Sequence, residues 1–227
     1  MQEAIQHPTN HAVACIFDLD GVLVDTAVYH FQAWKKLANS MGFDFTAAQN
    51  EHLKGVNRMR SLDMILNWGG VEKSAEEKEA LATTKNAWYV DMISKMTPEE
   101  VLPGTLQLLE DLRRQGIKIA LGSASKNSAM ILERTQLTGF FDAIVDGNVV
   151  SASKPDPEVF TKAATLLDVP VEICVVFEDA QAGVAAAIAG KMKVVGVGAE
   201  ENLKGADCYV DDLSQITVQE IRALIQG

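Results

Sequence analysis

The stretch VACIFDLDGVLVDT, residues 13–26, decides the fold: a short apolar run ends in two aspartates two positions apart, with a glycine straight after. A continuous apolar run of this length, without alternation, reads as a strand buried on both faces, as in a parallel sheet. Such sheets bind their ligands beyond the carboxyl ends of the strands. Asp18 and Asp20 stand at such an end, and an extended turn with this spacing can aim both carboxylates at one cation. Two hard oxygen ligands suit magnesium, which keeps several waters and takes other oxygens from a substrate phosphate. An isolated pair of this kind equally suits a turn whose aspartates bond their own backbone. A calcium EF-hand loop fits worse, because a third oxygen residue and the later Glu are missing.

Working outward, similar Val- and Ile-rich runs recur at 117–121, 142–145, 173–177 and 194–197. Helical patterns fill 105–115, 128–136, 157–167 and 181–189, with Gly116 and Gly190 placed as stops. Strands alternating with helices predict an α/β fold, a doubly wound parallel sheet covered on both faces. Residues 26–96 differ: they carry helical periodicity throughout, several Met and Trp, and no strand pattern. The chain enters this region from the DLDGVLVDT turn and leaves through TPEEVLPG (97–104), whose Pro98, Pro103 and Gly104 suit a linker. The expected division is therefore a catalytic core of 1–25 with 97–227, and an inserted all-helical cap domain of 26–96.

The other strand ends also carry polar groups. Gly122-Ser123-Ala124-Ser125-Lys126-Asn127 opens a helix, where hydroxyls and free amides can cradle phosphate oxygens, although Ser123 or Ser125 also suits an N-cap. Ser153-Lys154-Pro155 brings a cation to the same edge. Glu178 and Asp179 end the 173–177 run ahead of a helix whose first turn would itself welcome acids. Each feature has an ordinary structural explanation, but four successive strand ends bearing acid, hydroxyl, cation and acid argue jointly for one site.

Composition limits the partners. Twenty Lys and Arg against 31 Asp and Glu give a formal net charge of −11, which disfavours nucleic acid and anionic membrane and requires locally clustered cations for a small anionic substrate. Cys15, Cys174 and Cys208 are odd in number and widely spaced within apolar runs, so they are expected to be reduced core residues, in keeping with a cytoplasmic setting. Residues 1–12 lack the pattern of a signal peptide and are expected to be a frayed extension, and no later run is long enough to span a bilayer.

FDLDGVLVDT, the helical insertion, and the Ser, Lys-Pro and Glu-Asp elements in that order resemble the haloacid dehalogenase superfamily over nearly the whole chain after residue 12. The resemblance implies that Asp18 is the phosphoryl-accepting nucleophile and Asp20 the general acid/base. It also implies that Ser123 and Lys154 hold the transferring group and that Asp18, Asp20 and Asp179 form the magnesium site, with Glu178 as ligand or support. Members that dehalogenate lack an acid at the position of Asp20, so the intact pair implies phosphoryl transfer.

Within the superfamily, DTAVYHFQAWKKLA (25–38), HLKGVNRMRSL (52–62), KNAWYVDM (85–92), LGSASKN (121–127) and EDAQAG (178–183) look most like the beta-phosphoglucomutases. That likeness implies a mobile cap whose loop Leu53-Lys54-Gly55-Val56-Asn57-Arg58 meets a sugar phosphate, with Arg58 gripping the second phosphate beside Ala124, Ser125, Lys126 and Asn127. Thr26 and His30 would position Asp20 at the hinge, with Lys85 linked to His30; His30 equally suits a partly buried core position. Met59-Arg60, and Ala180 where relatives often have Ser, depart from the pattern. The implied reaction interconverts beta-glucose 1-phosphate and glucose 6-phosphate through beta-glucose 1,6-bisphosphate, in a protein expected to be a monomer. A phosphatase on the same scaffold is the alternative. A non-enzymatic phospho-aspartate signalling module fits poorly, since its acid follows the third strand, where only Asp146 stands, and it has no cap.

Overall fold

The computed structural model describes residues 13–226; the extension expected at 1–12 lies outside them. Six strands form one parallel sheet: β1 (Ala14–Phe17), β2 (Lys118–Gly122), β3 (Ala143–Val145), β4 (Cys174–Glu178), β5 (Lys193–Val197) and β6 (Cys208–Val210), in the order β3-β2-β1-β4-β5-β6. Register pairs Phe17 with Leu121 on one side and with Phe177 on the other, so the first apolar run lies at the sheet's centre.

Alternate residues of these strands feed two cores, which is why the runs are apolar throughout. On one face Cys15, Phe17, Ile119, Leu121, Val175 and Phe177 pack with residues of α5 (Thr105–Arg114), α6 (Ser128–Arg134) and α9 (Val218–Gln226). Ala14, Ile16, Ala120, Cys174 and Val176 point the other way, onto α7 (Glu158–Leu167) and α8 (Gln181–Ala189). Cys15 and Cys174 therefore occupy opposite cores although their strands are adjacent; all three cysteines are free, and Cys208 is only half-buried.

The helical insertion holds α1 (Ala27–Ser40), α2 (Ala47–Glu51), α3 (Arg58–Trp68) and α4 (Ala75–Ile93). Thr46 and Ser74 form capping boxes with Gln49 and Glu77, and the Asn57 side chain accepts from the Arg60 N–H; these are local signals that start α2, α4 and α3. A third core, including Trp34, Leu37, Phe45, Leu62 and Ile65, is internal to the insertion. Tyr89, Ile93 and Met96 join the sheet's core instead, so the end of α4 is anchored on the strands. At the base, outgoing and returning chains run side by side: Val24 bridges Val101, the Leu102 N–H donates to Leu23 O at 2.9 Å, and the Asp25 N–H to Glu100 O at 3.2 Å.

Both expected helix stops are in place, with different backbone conformations. Gly116, with φ +68°, follows α5, and Gly190, with φ −78°, caps α8, where the left-handed residue is the next one, Lys191, with φ 60°. No helix among the described residues is long and apolar enough to cross a membrane.

Candidate active site

Strand order reverses direction at β1, which has β2 on one side and β4 on the other; the crevice at such a switch point is where open α/β sheets bind ligands. Asp18 emerges there, 5% exposed, its N–H donating to Phe177 O at 3.0 Å. Lys154 reaches the same point from the β3–α7 connection. It is 2% exposed, and its ammonium donates to Asp18 Oδ1 at 2.6 Å and to Glu178 Oε1. Burial works against that charge, yet Asp18 and Glu178 outweigh it and hold the lysine above its ordinary range.

Glu178 is wholly buried, and its second oxygen accepts from the Ala180 N–H at 3.1 Å. Two glycines make this packing possible. A Cβ on Gly183 would lie 1.9 Å from the Glu178 carboxyl carbon, and one on Gly21, a residue with φ +80°, would lie 2.2 Å from Asp179 Oδ2.

Asp18, Glu178 and Asp179 can offer oxygens that all lie within 4.8 Å of one another. Burial, then Asp18, push Asp179 up to about 6 against the pull of Lys54; burial raises Glu178 despite Lys154. Three carboxylates around one buried ammonium leave uncompensated negative charge, and hard oxygen donors with that excess fit a divalent cation such as magnesium. Asp20 is not in this group. Its carboxylate accepts from the Thr26 hydroxyl and lies 3.9 Å from His30 Nε2. The expectation that Asp18 and Asp20 turn both carboxylates to one cation is not tested by these contacts; the side-chain oxygens that come together are those of Asp18, Glu178 and Asp179. Burial against the site wall and the Asp18 charge push Asp20 up to about 7, opposed by the Thr26 bond.

Above these groups is a cavity of about 410 Å³, bounded by strand ends below and the insertion above, a volume typical of small-molecule sites. Lys54, Gly55, Val56 and Arg58 all line it. Lys54 pairs with Asp179 at 3.2 Å, and a Cβ on Gly55 (φ +70°) would lie 3.4 Å from the Ala180 Cβ, so the loop lies directly on the strand ends. Arg58, the first residue of α3, is half-buried; burial depresses its pKa, opposed by Tyr89 and Glu79. Ala124, Ser125, Lys126 and Asn127 also line the cavity, and Asn127 Nδ2 donates to Asn86 Oδ1 of α4 at 3.1 Å.

Ser123 differs from its neighbours. It is fully buried, is not among the lining residues, and its oxygen accepts from the Ser125 N–H at 3.0 Å, while Ser125 Oγ accepts from the Asn127 N–H at 3.2 Å. Both hydroxyls thus accept bonds within the turn ahead of α6; the N-cap that the sequence offered to Ser123 or Ser125 is taken by Asn127.

His30 and Lys85 meet at 3.0 Å, Nζ to Nδ1. Burial, then Lys85 and Arg58, hold His30 well below its ordinary range. The sequence reading missed Tyr89, Asn86 and Trp34, all of which line the cavity. They lie inside the quoted 25–38 and 85–92 stretches, but helical periodicity does not separate a cavity-facing aromatic from a core one.

Comparison with known proteins agrees with this architecture. A beta-phosphoglucomutase of Bacillus subtilis is 45% identical over 208 residues, covering 91% of this chain and 92% of that protein. A phosphorylated carbohydrates phosphatase of Thermotoga maritima is 33% identical over 190 residues, 81% and 84% of the two chains. The crystal structure of a beta-phosphoglucomutase from Clostridium difficile superposes with a TM-score of 0.90 at 43% identity, covering 94% of this chain and 96% of that one. Residues 13–191 match the haloacid dehalogenase-like hydrolases. With that match spanning the DLDGV turn, the helical insertion and every strand end of the cavity, the chain belongs to the haloacid dehalogenase-like family.

Proposed function

We propose that this protein is a beta-phosphoglucomutase, with residues 26–96 acting as a cap over a core of 1–25 and 97–227. The observation that carries the reading is the cavity lined by more than one cation: Lys154 beside Asp18, and also Arg58 from the insertion and Lys126 from the turn ahead of α6. A bisphosphate must be held at two ends at once, whereas hydrolysis of a monoester needs only one.

In this reading Asp18 attacks phosphorus, and the bond from phosphorus to the sugar oxygen breaks as Asp20 gives that oxygen a proton. In the reverse sense, Asp20 takes the proton of the 6-hydroxyl of beta-glucose 1-phosphate as the phosphoryl group leaves Asp18. The resulting beta-glucose 1,6-bisphosphate turns over, returns its 1-phosphoryl group to Asp18 and leaves as glucose 6-phosphate. A carboxyl near 7 suits both directions of proton transfer. Lys154 neutralises charge on the moving group. Asp18, Glu178 and Asp179 would hold magnesium, which supplies further charge neutralisation when bound. Lys54 and Gly55 bring the loop over the strand ends and exclude water from the phosphorylated aspartate.

The test is product analysis with beta-glucose 1-phosphate and a trace of the bisphosphate. We expect glucose 6-phosphate to form far faster than inorganic phosphate, the alpha anomer to be a poor substrate, and Asp18→Asn to abolish both products. Phosphate release that keeps pace with sugar consumption would favour the second reading, a sugar-phosphate phosphatase, which the Thermotoga relative supports.

A further inference from the structure

Asp146, the acid that follows β3, has no part in the chemistry proposed above, yet it is buried at 8% exposure and its carboxylate accepts three hydrogen bonds. The hydroxyl of Ser128, itself fully buried, donates to Oδ2 at 2.7 Å. Asn148 donates twice, from its N–H to Oδ1 at 2.9 Å and from Nδ2 to Oδ2 at 3.1 Å. The segment that carries Asp146 also grips the turn ahead of α6. Val145 O accepts from the Ser123 N–H at 3.0 Å, the Gly147 N–H donates to Ser125 O at 3.1 Å, and Asn148 Nδ2 donates to Lys126 O at 3.1 Å. The two segments touch directly: a Cβ on Gly147 would lie 2.4 Å from Ala124 O and 3.0 Å from Lys126 Cγ.

These bonds have a chemical sense. Ala124, Ser125, Lys126 and Asn127 line the cavity. A turn that meets an anion must keep its carbonyl oxygens off it, because N–H groups and ammonium attract phosphate oxygens and carbonyl lone pairs repel them. Two successive carbonyls of the turn, those of Ser125 and Lys126, are taken up by Gly147 and Asn148. Asn148 is exposed, so packing does not demand a carboxamide there; its Nδ2 is used to join Asp146 to the Lys126 carbonyl. The charge of Asp146 works against an anion nearby, which leaves its acceptor capacity as its use: an ionised carboxylate takes several donors at once and makes strong bonds with them.

We propose that Asp146 and Asn148 are positioning residues. The Asp146 carboxylate fixes the Asn148 carboxamide and the Ser128 hydroxyl, and Asn148 holds the Lys126 carbonyl so that the turn 124–127 keeps the shape that receives the phosphate not being transferred. The inference rests on the reading that this turn holds one end of a bisphosphate.

The test uses the full chain and varies beta-glucose 1,6-bisphosphate at fixed beta-glucose 1-phosphate, reading glucose 6-phosphate and inorganic phosphate together. Acetyl phosphate, whose single phosphoryl group goes to Asp18, is the control. Asn148→Ala, a change at an exposed position, should raise KM for the bisphosphate roughly five- to twenty-fold with kcat within about threefold, leave acetyl phosphate hydrolysis within about twofold, and shift the melting temperature by less than about 3 °C. Asn148→Asp has the same shape but turns an acceptor towards Asp146 and the Lys126 carbonyl, so it should raise KM at least as far. Asp146→Asn removes the charge and one acceptor; KM should rise, and adding Asn148→Ala should cost less than it does in the parent. An unchanged KM in Asn148→Ala overturns the proposal. So does a KM that falls in Asp146→Asn, which would make its charge rather than its bonds the dominant effect, or an equal loss with acetyl phosphate, which would mark a general structural role. Lys126→Ala separates the two levels of argument. If Lys126→Ala and Asn148→Ala both leave KM unchanged, the reading of a bisphosphate held by this turn fails as well; if Lys126→Ala raises KM and Asn148→Ala does not, only this inference fails.

Discussion

Lys85 sits with its ammonium 4.4 Å over the Trp34 ring and 4.7 Å over the Tyr89 ring, and its hydrogen-bond partner is His30. Burial, then Arg58, lower its pKa to about 7, with Asp20 opposing. Between about 7 and the ordinary 10.5 the unfolded chain binds the extra proton, so this residue's contribution to stability rises with pH across that window. Lys85→Met removes the titration and keeps most of the packing. Urea unfolding at pH 6.5 and 9.5 should show the parent gaining roughly 3 kcal/mol more than the variant over that interval; equal gains would mean that Lys85 titrates as a free lysine. In the sequence Lys85 is one lysine among several in a helix, and nothing in its spacing marks it as buried. Lys154 was legible because it follows a serine ahead of a proline at a strand end, although its two carboxylate partners come from other strands.

At the level of elements, α8 shows how a helix can be shaped by a side chain outside it. Alanine favours helix over glycine by roughly 1 kcal/mol, so Gly183→Ala should stabilise an isolated α8. Here the new methyl would fall on the Glu178 carboxyl carbon, against a group pinned by Lys154 and the Ala180 N–H. Gly183→Ala is therefore expected to lower the melting temperature and to cut phosphoryl transfer by at least about a hundredfold. A variant both more stable and fully active would show that Glu178 can move freely. Helices with strong local signals, such as the capping boxes at Thr46 and Ser74, are readable from sequence because the cap and the run lie together. Strand β6 and helix α9 went unread for the opposite reason: Cys208 and Tyr209 are only half-buried at the sheet edge, so no continuous apolar run marks the strand. Helix α9 gains its meaning only by covering the face shared with α5.

Across the whole molecule, polar contacts join the insertion to the strand ends around the cavity, among them Lys54 with Asp179, Asn57 Nδ2 to Ser153 Oγ at 3.1 Å, and Asn86 with Asn127. A ligand reaching both ends must engage groups on both sides of this seam. Arg58→Ala should lower conversion of beta-glucose 1-phosphate by roughly two orders of magnitude, as when a charged bidentate contact to phosphate is lost. Hydrolysis of acetyl phosphate, too short to reach α3, should change by less than about threefold. Equal losses on the two substrates would place Arg58's effect at Asp18 rather than at a second phosphate.

The sequence by itself determined the parallel sheet, the helical insertion and the strand ends that carry acid, hydroxyl and cation, because each is written in a contiguous run whose periodicity or turn chemistry is local. Only the tertiary structure decided which carboxylates share a centre. Asp18 and Asp20 are two positions apart in sequence, yet Asp20 meets Thr26 and His30 of the insertion, while Asp18 has Glu178 and Asp179 of another strand end beside it. The buried charge of Lys85 was likewise decided there. Burial depends on what packs around a side chain, and those neighbours come from distant parts of the chain.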